Sequence, residues 1–173
     1  MVLRAVQVKM KVSYDEMLKS LYVAIERIKA IDGRPDHSSR YDKSLSFHEY
    51  VCQIAESICA EMVVARYFGN DKFEPTINTF KTQADVGSRL EVKWTKYDSG
   101  ALIISESDRN TDIAVLVTGR SPVYEIKGWI PVSIAKDQRW KRREKPSFWV
   151  EQYNLHPIEN LKRSSHGDAA LPM

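Results

Sequence analysis

Two carboxylates and a lysine lie close together in the segment from Asp85 to Thr95. Glu91 and Lys93 are two positions apart, so in a β-strand their side chains point to the same face of the sheet. Mg²⁺ prefers carboxylate oxygens, and an adjacent ammonium group can hold a water or stabilise charge on a phosphate. These residue types at this spacing predict a site for metal-assisted hydrolysis of a phosphodiester.

A third carboxylate is predicted on the helix that precedes this segment. The helix is expected from Ser46 to Phe68, because apolar residues recur there at every third or fourth position. Glu61 occupies one position of that stripe, where a carboxylate is costly unless it is paired or binds something. Two interpretations remain open: a structural ion pair with Lys93 or Arg66, or a ligand for a second metal ion or a metal-bound water. The apolar members of the stripe are Phe47, Val51, Ile54, Ile58, Ala65 and Phe68.

A second Glu-x-Lys triplet, formed by Glu125 and Lys127, tests how specific this pattern is. Opposite charges often share one face of a strand for a modest electrostatic gain, so one of the two triplets is expected to be structural. Asp112 lies upstream of the second triplet. We favour the first triplet, because Asp85 and the inward-facing Glu61 precede it.

The order of helices and strands predicts an α+β fold class, with a helix packed on a mixed β-sheet. A capping box at Ser13 and Glu16 begins a helix that extends to Ile31, and a polar linker follows. The apolar stripe of this helix is predicted to be Met17, Leu21, Ala24, Ile28 and Ile31. Strands are predicted over residues 2–12, 79–86, 90–95, 101–106, 113–118, 124–130 and 148–153.

Charge is concentrated in one short segment of the 173-residue chain, whose net charge is +3. The ten residues from Lys136 to Lys145 include six basic and two acidic residues, which gives the segment a net charge of +4. Together with Trp140, this segment suits a phosphate backbone, with an indole available for stacking. The alternative is a solubilising surface loop.

The cysteines, the histidines and the hydropathy pattern argue against several classes of protein. Cys52 and Cys59 lie on one predicted helix about 10 Å apart by helical rise, too far for a disulfide. Neither belongs to a Cys-x-x-Cys pair, and the four histidines lack zinc-ligand spacing. No apolar run approaches the roughly 20 residues of a membrane span, and no secretory leader is recognised. We therefore expect a cytoplasmic protein.

An acid on a helix, then an aspartate, then a Glu-x-Lys triplet on a strand resembles the PD-(D/E)XK nuclease superfamily. Ala60 to Gly69 and Asp85 to Thr95 resemble the "GE-x-A-x-A-x-x-LG" helix and the "D-V-G-x-x-x-E-V-[KR]-x-T" strand of small stand-alone phage nucleases. Ala84 stands where the name-giving proline would be. Weaker similarity extends to residues 112–119, 128–130 and 148–150.

The resemblance implies a restriction-endonuclease-like core, Mg²⁺ or Mn²⁺ as cofactor and DNA as the bound partner. Asp85 and Glu91 would be metal ligands, with the carbonyl of Val92 as a third oxygen. Glu61 would be the helix acid at the same metal centre, and Lys93 the catalytic lysine. The similarity divides the chain into an N-terminal strand and helix extension with its linker (1–45), a PD-(D/E)XK-like nuclease core (46–160) and a flexible tail (161–173).

Residues that flank the motif, together with arginines of the basic segment, are predicted to contact DNA. Trp129 and Trp149 are expected to belong to the core rather than to stack on bases. The predicted DNA contacts are Lys81, Gln83, Thr95, Lys96, Arg139, Arg142 and Arg143.

The expected activity is that of a metal-dependent deoxyribonuclease, either an endonuclease or an exonuclease, used in phage DNA degradation, processing or recombination. For a phage-encoded protein the compartment would be the host-cell cytoplasm. Two alternatives remain open. One is a Holliday-junction-type resolvase acting as a homodimer, and the other is a non-catalytic DNA-binding or packaging accessory protein with the same fold.

Overall fold

The computed structural model describes residues 8–30, 45–77, 82–142 and 146–172. Within these ranges, every helix is too short or too polar to span a bilayer. The strands are β1 Val8–Lys11, β2 Leu90–Thr95, β3 Leu102–Ser105, β4 Ile113–Arg120, β5 Val123–Pro131 and β6 Ser147–Val150. The helices are α1 Tyr14–Ala30, α2 Phe47–Tyr67 and α3 Val132–Ala135, with 3₁₀ turns at Gln138–Trp140, Gln152–Asn154, Ile158–Arg163 and Gly167–Ala170.

Four strands form the main sheet in the spatial order β1, β5, β4, β2. Strand β4 runs parallel to β2 and antiparallel to β5, and β1 is antiparallel to β5. Strands β3 and β6 form a separate antiparallel pair. The predicted α+β class, with a mixed sheet flanked by helices, is confirmed, and β2 lies at an edge of the described sheet.

The main sheet separates two apolar layers. On one face α2 packs on Leu90 and Val92 of β2, and on the other face the β3–β6 pair packs on β4. Glu91 and Lys93 alternate with these apolar residues along β2, so their side chains face the β3–β6 layer. The strand predicted over residues 90–95 therefore forms with the alternation that the sequence indicated.

Both long helices begin with a capping box. The Ser13 N–H donates to the Glu16 carboxylate, and the Glu16 N–H donates to the Ser13 hydroxyl, as predicted. Ser46 and Glu49 make the same reciprocal pair at the start of α2. Each cap satisfies backbone donors that have no partner within the helix, so the first turn of each helix is well defined.

Helix α1 packs against α2 through a face that includes Ala24 of the predicted stripe but not Leu21. Ser20 and Ala24 are buried, whereas Leu21 is 38% exposed. Arg27 continues the buried line three positions after Ala24, with only 14% of its side chain exposed. Small side chains allow the two helices to approach closely, so the contact uses residues that the hydrophobic pattern did not rank highly.

The described part of the predicted flexible tail, residues 161–172, is packed against the domain, which corrects that prediction. Leu161 and Ala169 are fully buried, and Ala170 is nearly so. All three belong to the core cluster that includes α2 and β2. The segment is polar, so its composition alone suggests fraying, but three of its apolar residues contact the core while Leu171 stays exposed.

Candidate active site

The turn before β2 sets the position of Asp85. Val86 and Leu90 exchange two backbone hydrogen bonds of 3.1 and 3.0 Å, so the chain reverses over three residues. The strand predicted over residues 79–86 is not formed in its described part, where this single bridge is the one sheet-like contact. Residues 79–81 lie outside the described ranges. The turn brings Asp85 beside the first residues of β2.

The conformation of this turn depends on Gly87 and on the C-terminal segment. Gly87 has a φ of +58°, in the left-handed region that favours glycine, and a Cβ there would lie 2.7 Å from the carbonyl oxygen of Ala169. The Arg89 N–H donates to the same carbonyl, and the Ser88 hydroxyl donates to that of Asp168. The turn is therefore stabilised by contacts with the segment of residues 167–170.

Asp85 lies at the edge of β2 that faces away from β4. The Val92 N–H donates to Asp85 Oδ2, with an N···O distance of 2.8 Å. Within a strand the N–H and C=O of one residue point to the same side, so the Val92 carbonyl also faces the edge where Asp85 lies. The oxygens of Asp85 and Val92 that were predicted to bind metal therefore occur at the same edge.

Lys93 bridges two buried carboxylates. Its Nζ lies 2.9 Å from Glu91 Oε1 and 2.9 Å from Asp108 Oδ2. Both acids are only 3% exposed. Asp108 Oδ2 also accepts a hydrogen bond from the Ser105 N–H at 2.7 Å. The ammonium group is therefore fixed in position by acids from two segments of the chain.

Sequence reasoning missed Asp108. Asp108 and the two residues after it have the composition of a turn, so the sequence pattern gives no reason to assign Asp108 to a site. The signal that could have identified it is topological. Because β2 and β4 are parallel, the segments leading into both strands meet at the same end of the sheet. Acids that precede β4, including Asp112, therefore come near those that precede or begin β2.

Glu61 is buried and forms a forked ion pair with Arg27 of α1. The two guanidinium nitrogens donate to its two oxygens at 3.0 and 2.9 Å. Arg27 therefore makes the structural pair that was considered for Lys93 or Arg66, and Arg66 instead pairs with Glu16. Burial lowers the pKa of Arg27, but the hydrogen bond and charge of Glu61 and the charge of Asp85 outweigh it, so the pKa is raised.

A second arginine connects the remaining acids. Arg109 forms a forked pair with Asp112, with N···O distances of 2.8 and 2.9 Å. The hydrogen bond that Arg109 donates to Asp112 raises the pKa of Arg109 despite partial burial, and the charges of Asp112, Glu91 and Asp85 raise it further. Asp85 thus lies within electrostatic reach of both Arg27 and Arg109. Arg27 and Arg109 link Asp85 electrostatically to Glu61 and to Glu91, although Glu61 belongs to α2 on one face of the sheet and the Glu91 side chain faces the β3–β6 layer on the other.

The predicted metal ligands are few and differ in position: Asp85 and the Val92 carbonyl lie at the edge of β2, whereas the Glu91 side chain faces the β3–β6 layer. Within the described ranges, no group of three or more His, Cys, Asp and Glu residues is arranged to hold a metal ion. Mg²⁺ usually keeps several waters and is held by one or two carboxylates with substrate phosphates. Asp85, Glu91 and the Val92 carbonyl offer only oxygen, as Mg²⁺ and Mn²⁺ prefer. Glu61 suits this set less well, because Arg27 donates to both of its oxygens.

The second Glu-x-Lys triplet forms a separate cluster of charges. Lys127 donates to Asp98 at 2.7 Å and to Glu125 at 2.8 Å. Glu125 lies opposite Thr118 of β4, whereas Glu91 lies opposite residue 114, so the triplets are separated by about 13 Å along that strand. Asp112, the acid upstream of the second triplet, pairs with Arg109.

A cavity of about 890 Å³ runs beside β2, between the first half of α2 and the β3–β6 pair. Lys93 and Asp108 lie in its wall. Thr95 and Lys96, both predicted to contact DNA, also line it. The bridged lysine is therefore accessible from a concave surface large enough to receive part of a polymer.

The other predicted DNA contacts are more scattered. Gln83 is exposed but does not line the cavity. Arg139 is 65% exposed at its side chain and pairs with Asp137, while Arg142 lies over the ring of Trp149. The remaining two residues, Lys81 and Arg143, lie outside the described ranges.

The two tryptophans expected in the core differ. Trp129 is 4% exposed and its indole N–H donates to Pro157 and Asn160, so its assignment to the core is confirmed. Trp149 is only partly buried and lines the cavity, which corrects the prediction for that residue. Alternation along β6 turns Trp149 away from the apolar layer that contains its neighbours.

No family model matches this chain, and no match was found among curated proteins or solved structures. The functional interpretation therefore depends on the residues and contacts described above.

Proposed function

We propose that this protein is a metal-dependent nuclease that hydrolyses DNA phosphodiester bonds, with a restriction-endonuclease-like core. The observation that carries the proposal is the position of Lys93. Its ammonium group is held by Glu91 and Asp108 in the wall of a cavity, at the end of the sheet where Asp85 also lies. The residue pattern that resembles PD-(D/E)XK nucleases supports the same assignment.

Each residue of this arrangement has a chemical role in phosphodiester hydrolysis. Asp85, Glu91 and the Val92 carbonyl would hold Mg²⁺ or Mn²⁺. When bound, the ion would neutralise phosphate charge and make a coordinated water more acidic. Lys93 donates from Nζ to the attacking water or to a phosphate oxygen, where charge develops in the transition state.

Asp108 positions Lys93. Its carboxylate is itself oriented by the Ser105 N–H, and its Oδ2 contacts Nζ as Glu91 Oε1 does. Two fixed acids restrict the long lysine side chain to one geometry, so little ordering is needed when substrate binds. Asp108 is therefore a positioning residue rather than a metal ligand in this proposal.

Replacing Lys93 tests the proposal directly. We expect Lys93→Ala to lower the rate of DNA cleavage by at least about 100-fold, because one preorganised donor to the transition state is lost. The substrates are supercoiled, linear, single-stranded and four-way-junction DNA, incubated with and without Mg²⁺ or Mn²⁺. Cleavage is measured on gels, and circular dichroism verifies that each variant is folded.

Lys127→Ala is the matched control, since Lys127 also lies between two carboxylates at the end of a Glu-x-Lys triplet. We expect it to retain most of the activity. Loss of activity in Lys127→Ala with normal activity in Lys93→Ala would move the active site to the second triplet. Preferential cutting of junctions would indicate a resolvase, and binding without cleavage under any metal would indicate an accessory protein.

A further inference from the structure

We propose that the cavity beside β2 binds an unpaired strand of DNA, with bases stacked on aromatic rings in its wall and the backbone led past Lys93. Only the role of Lys93 in this proposal rests on the proposed nuclease function. Binding of the strand follows from the size, rings and charges of the cavity, and it can be measured without cleavage.

The size of the cavity favours a single strand. Its volume of about 890 Å³ lies in the upper part of the range for pockets that enclose small ligands, about 300 to 1,000 Å³. Such a volume holds one or two nucleotides at a time. A duplex, whose major groove alone is about 12 Å wide, is too large to enter. A paired strand would have to separate before its phosphates could reach Lys93.

Two aromatic rings of the cavity are each accompanied by a cation. Lys96 lies 5.1 Å from the ring centre of Tyr97, and Arg142 lies 5.1 Å from that of Trp149. Both rings line the cavity, and Tyr97 is 63% exposed. Proteins that bind single-stranded nucleic acids combine aromatic rings, which stack on the bases, with cations, which contact the phosphates.

The charges along the cavity are consistent with a strand that enters at the end of the sheet remote from Glu91. Lys96 follows the last residue of β2, and Arg120 is the last residue of the parallel strand β4, so both lie at this end. The acids Glu49 and Glu56 also line the cavity, but each accepts hydrogen bonds from protein donors. Lys96 and Lys93 are about 10 Å apart along the protein backbone, which is the rise of about three nucleotides in a stacked strand.

Binding of labelled oligothymidylate in EDTA, followed by fluorescence anisotropy, tests this proposal without cleavage. We expect the single strand to bind more tightly than a duplex of the same length. Tyr97→Ala should weaken single-strand binding by about five-fold or more, because one stacking contact is lost. Lys96→Ala should reduce the slope of log affinity against log salt by about 0.7, the value for one phosphate contact on a single strand.

Tyr153→Ala is the matched control, because Tyr153 is 86% exposed and does not line the cavity. We expect it to bind with unchanged affinity. Tighter binding of the duplex, tighter binding of oligouridylate than of the DNA strand, or equal affinities of Tyr97→Ala and Tyr153→Ala would each overturn the proposal. If the protein binds the strand but does not cleave it in the presence of metal, the strand-binding proposal is upheld and the nuclease proposal is refuted. If the protein cleaves DNA but Tyr97→Ala has no effect on binding, the nuclease proposal is upheld and the strand-binding proposal is refuted.

Discussion

Asp108, Glu91 and Glu61 are all buried, and each is paired with a cation from another position in the chain. Taking an isolated carboxylate out of water is costly, so burial is tolerated only where hydrogen bonds and opposite charge compensate. Lys93 forms ion pairs with two of these acids, Glu91 and Asp108. Arg27 donates from two guanidinium nitrogens to the two oxygens of Glu61, which fixes the orientation of that carboxylate.

Removing Arg27 should destabilise the fold because Glu61 would be left buried without its cation. For Arg27→Ala we expect the free energy of unfolding to fall by about 3–5 kcal/mol, the usual cost of breaking a buried ion pair. Urea denaturation at neutral pH measures the change. The double variant Arg27→Met with Glu61→Gln should recover part of the loss, since the side chain at position 61 then carries no charge.

Lys29→Ala on the same helix is the control, because the pair of Lys29 with Glu26 is well exposed at both side chains. Its loss should cost no more than about 0.5 kcal/mol. A similarly small change for Arg27→Ala would show that Glu61 has another sufficient partner and that the fork with Arg27 is not what stabilises it.

At the scale of elements, the parallel pairing of β2 with β4 brings the acidic segments together. Parallel strands begin at the same end of a sheet, so the turn before β2 and the segment before β4 become neighbours although they are separated in sequence. The turn has little regular structure of its own. It is held by one bridge and by contacts with residues 167–170.

Substituting Gly87 should disturb the site through this turn. In Gly87→Ala the new Cβ would lie 2.7 Å from the Ala169 carbonyl oxygen at a positive φ, so the turn must shift. We expect an unfolding cost of about 2 kcal/mol or more and weaker metal-dependent cleavage, since Asp85 is displaced. Thermal denaturation and cleavage rates across a Mg²⁺ titration provide the measurements.

Gly69 offers a matched comparison, because its φ is +79° but no atom lies within 4 Å of a Cβ placed there. Gly69→Ala should cost only about 1 kcal/mol, the strain of a Cβ at a positive φ, and leave cleavage unchanged. If the two alanine variants behave alike, the close contact between Gly87 and the C-terminal segment does not control Asp85.

At the scale of the whole molecule, local patterns predicted the elements and tertiary contacts determined the partners. The periodicity of α2 located Glu61 on a buried face, and alternation in β2 placed Glu91 beside Lys93. Arg27 and Asp108 were not predicted, because each meets its partner only after distant segments pack. Periodicity reports which face of an element is apolar, but it does not report which polar residue of another segment will reach that face.

The segment of residues 167–170 reaches back to a turn about eighty positions earlier in the chain. During synthesis, Asp85 and the whole sheet leave the ribosome well before the support for their turn exists. Contacts of such long sequence separation form late in folding. A site built in this way would acquire its final geometry only after residues 167–170 had packed against the turn.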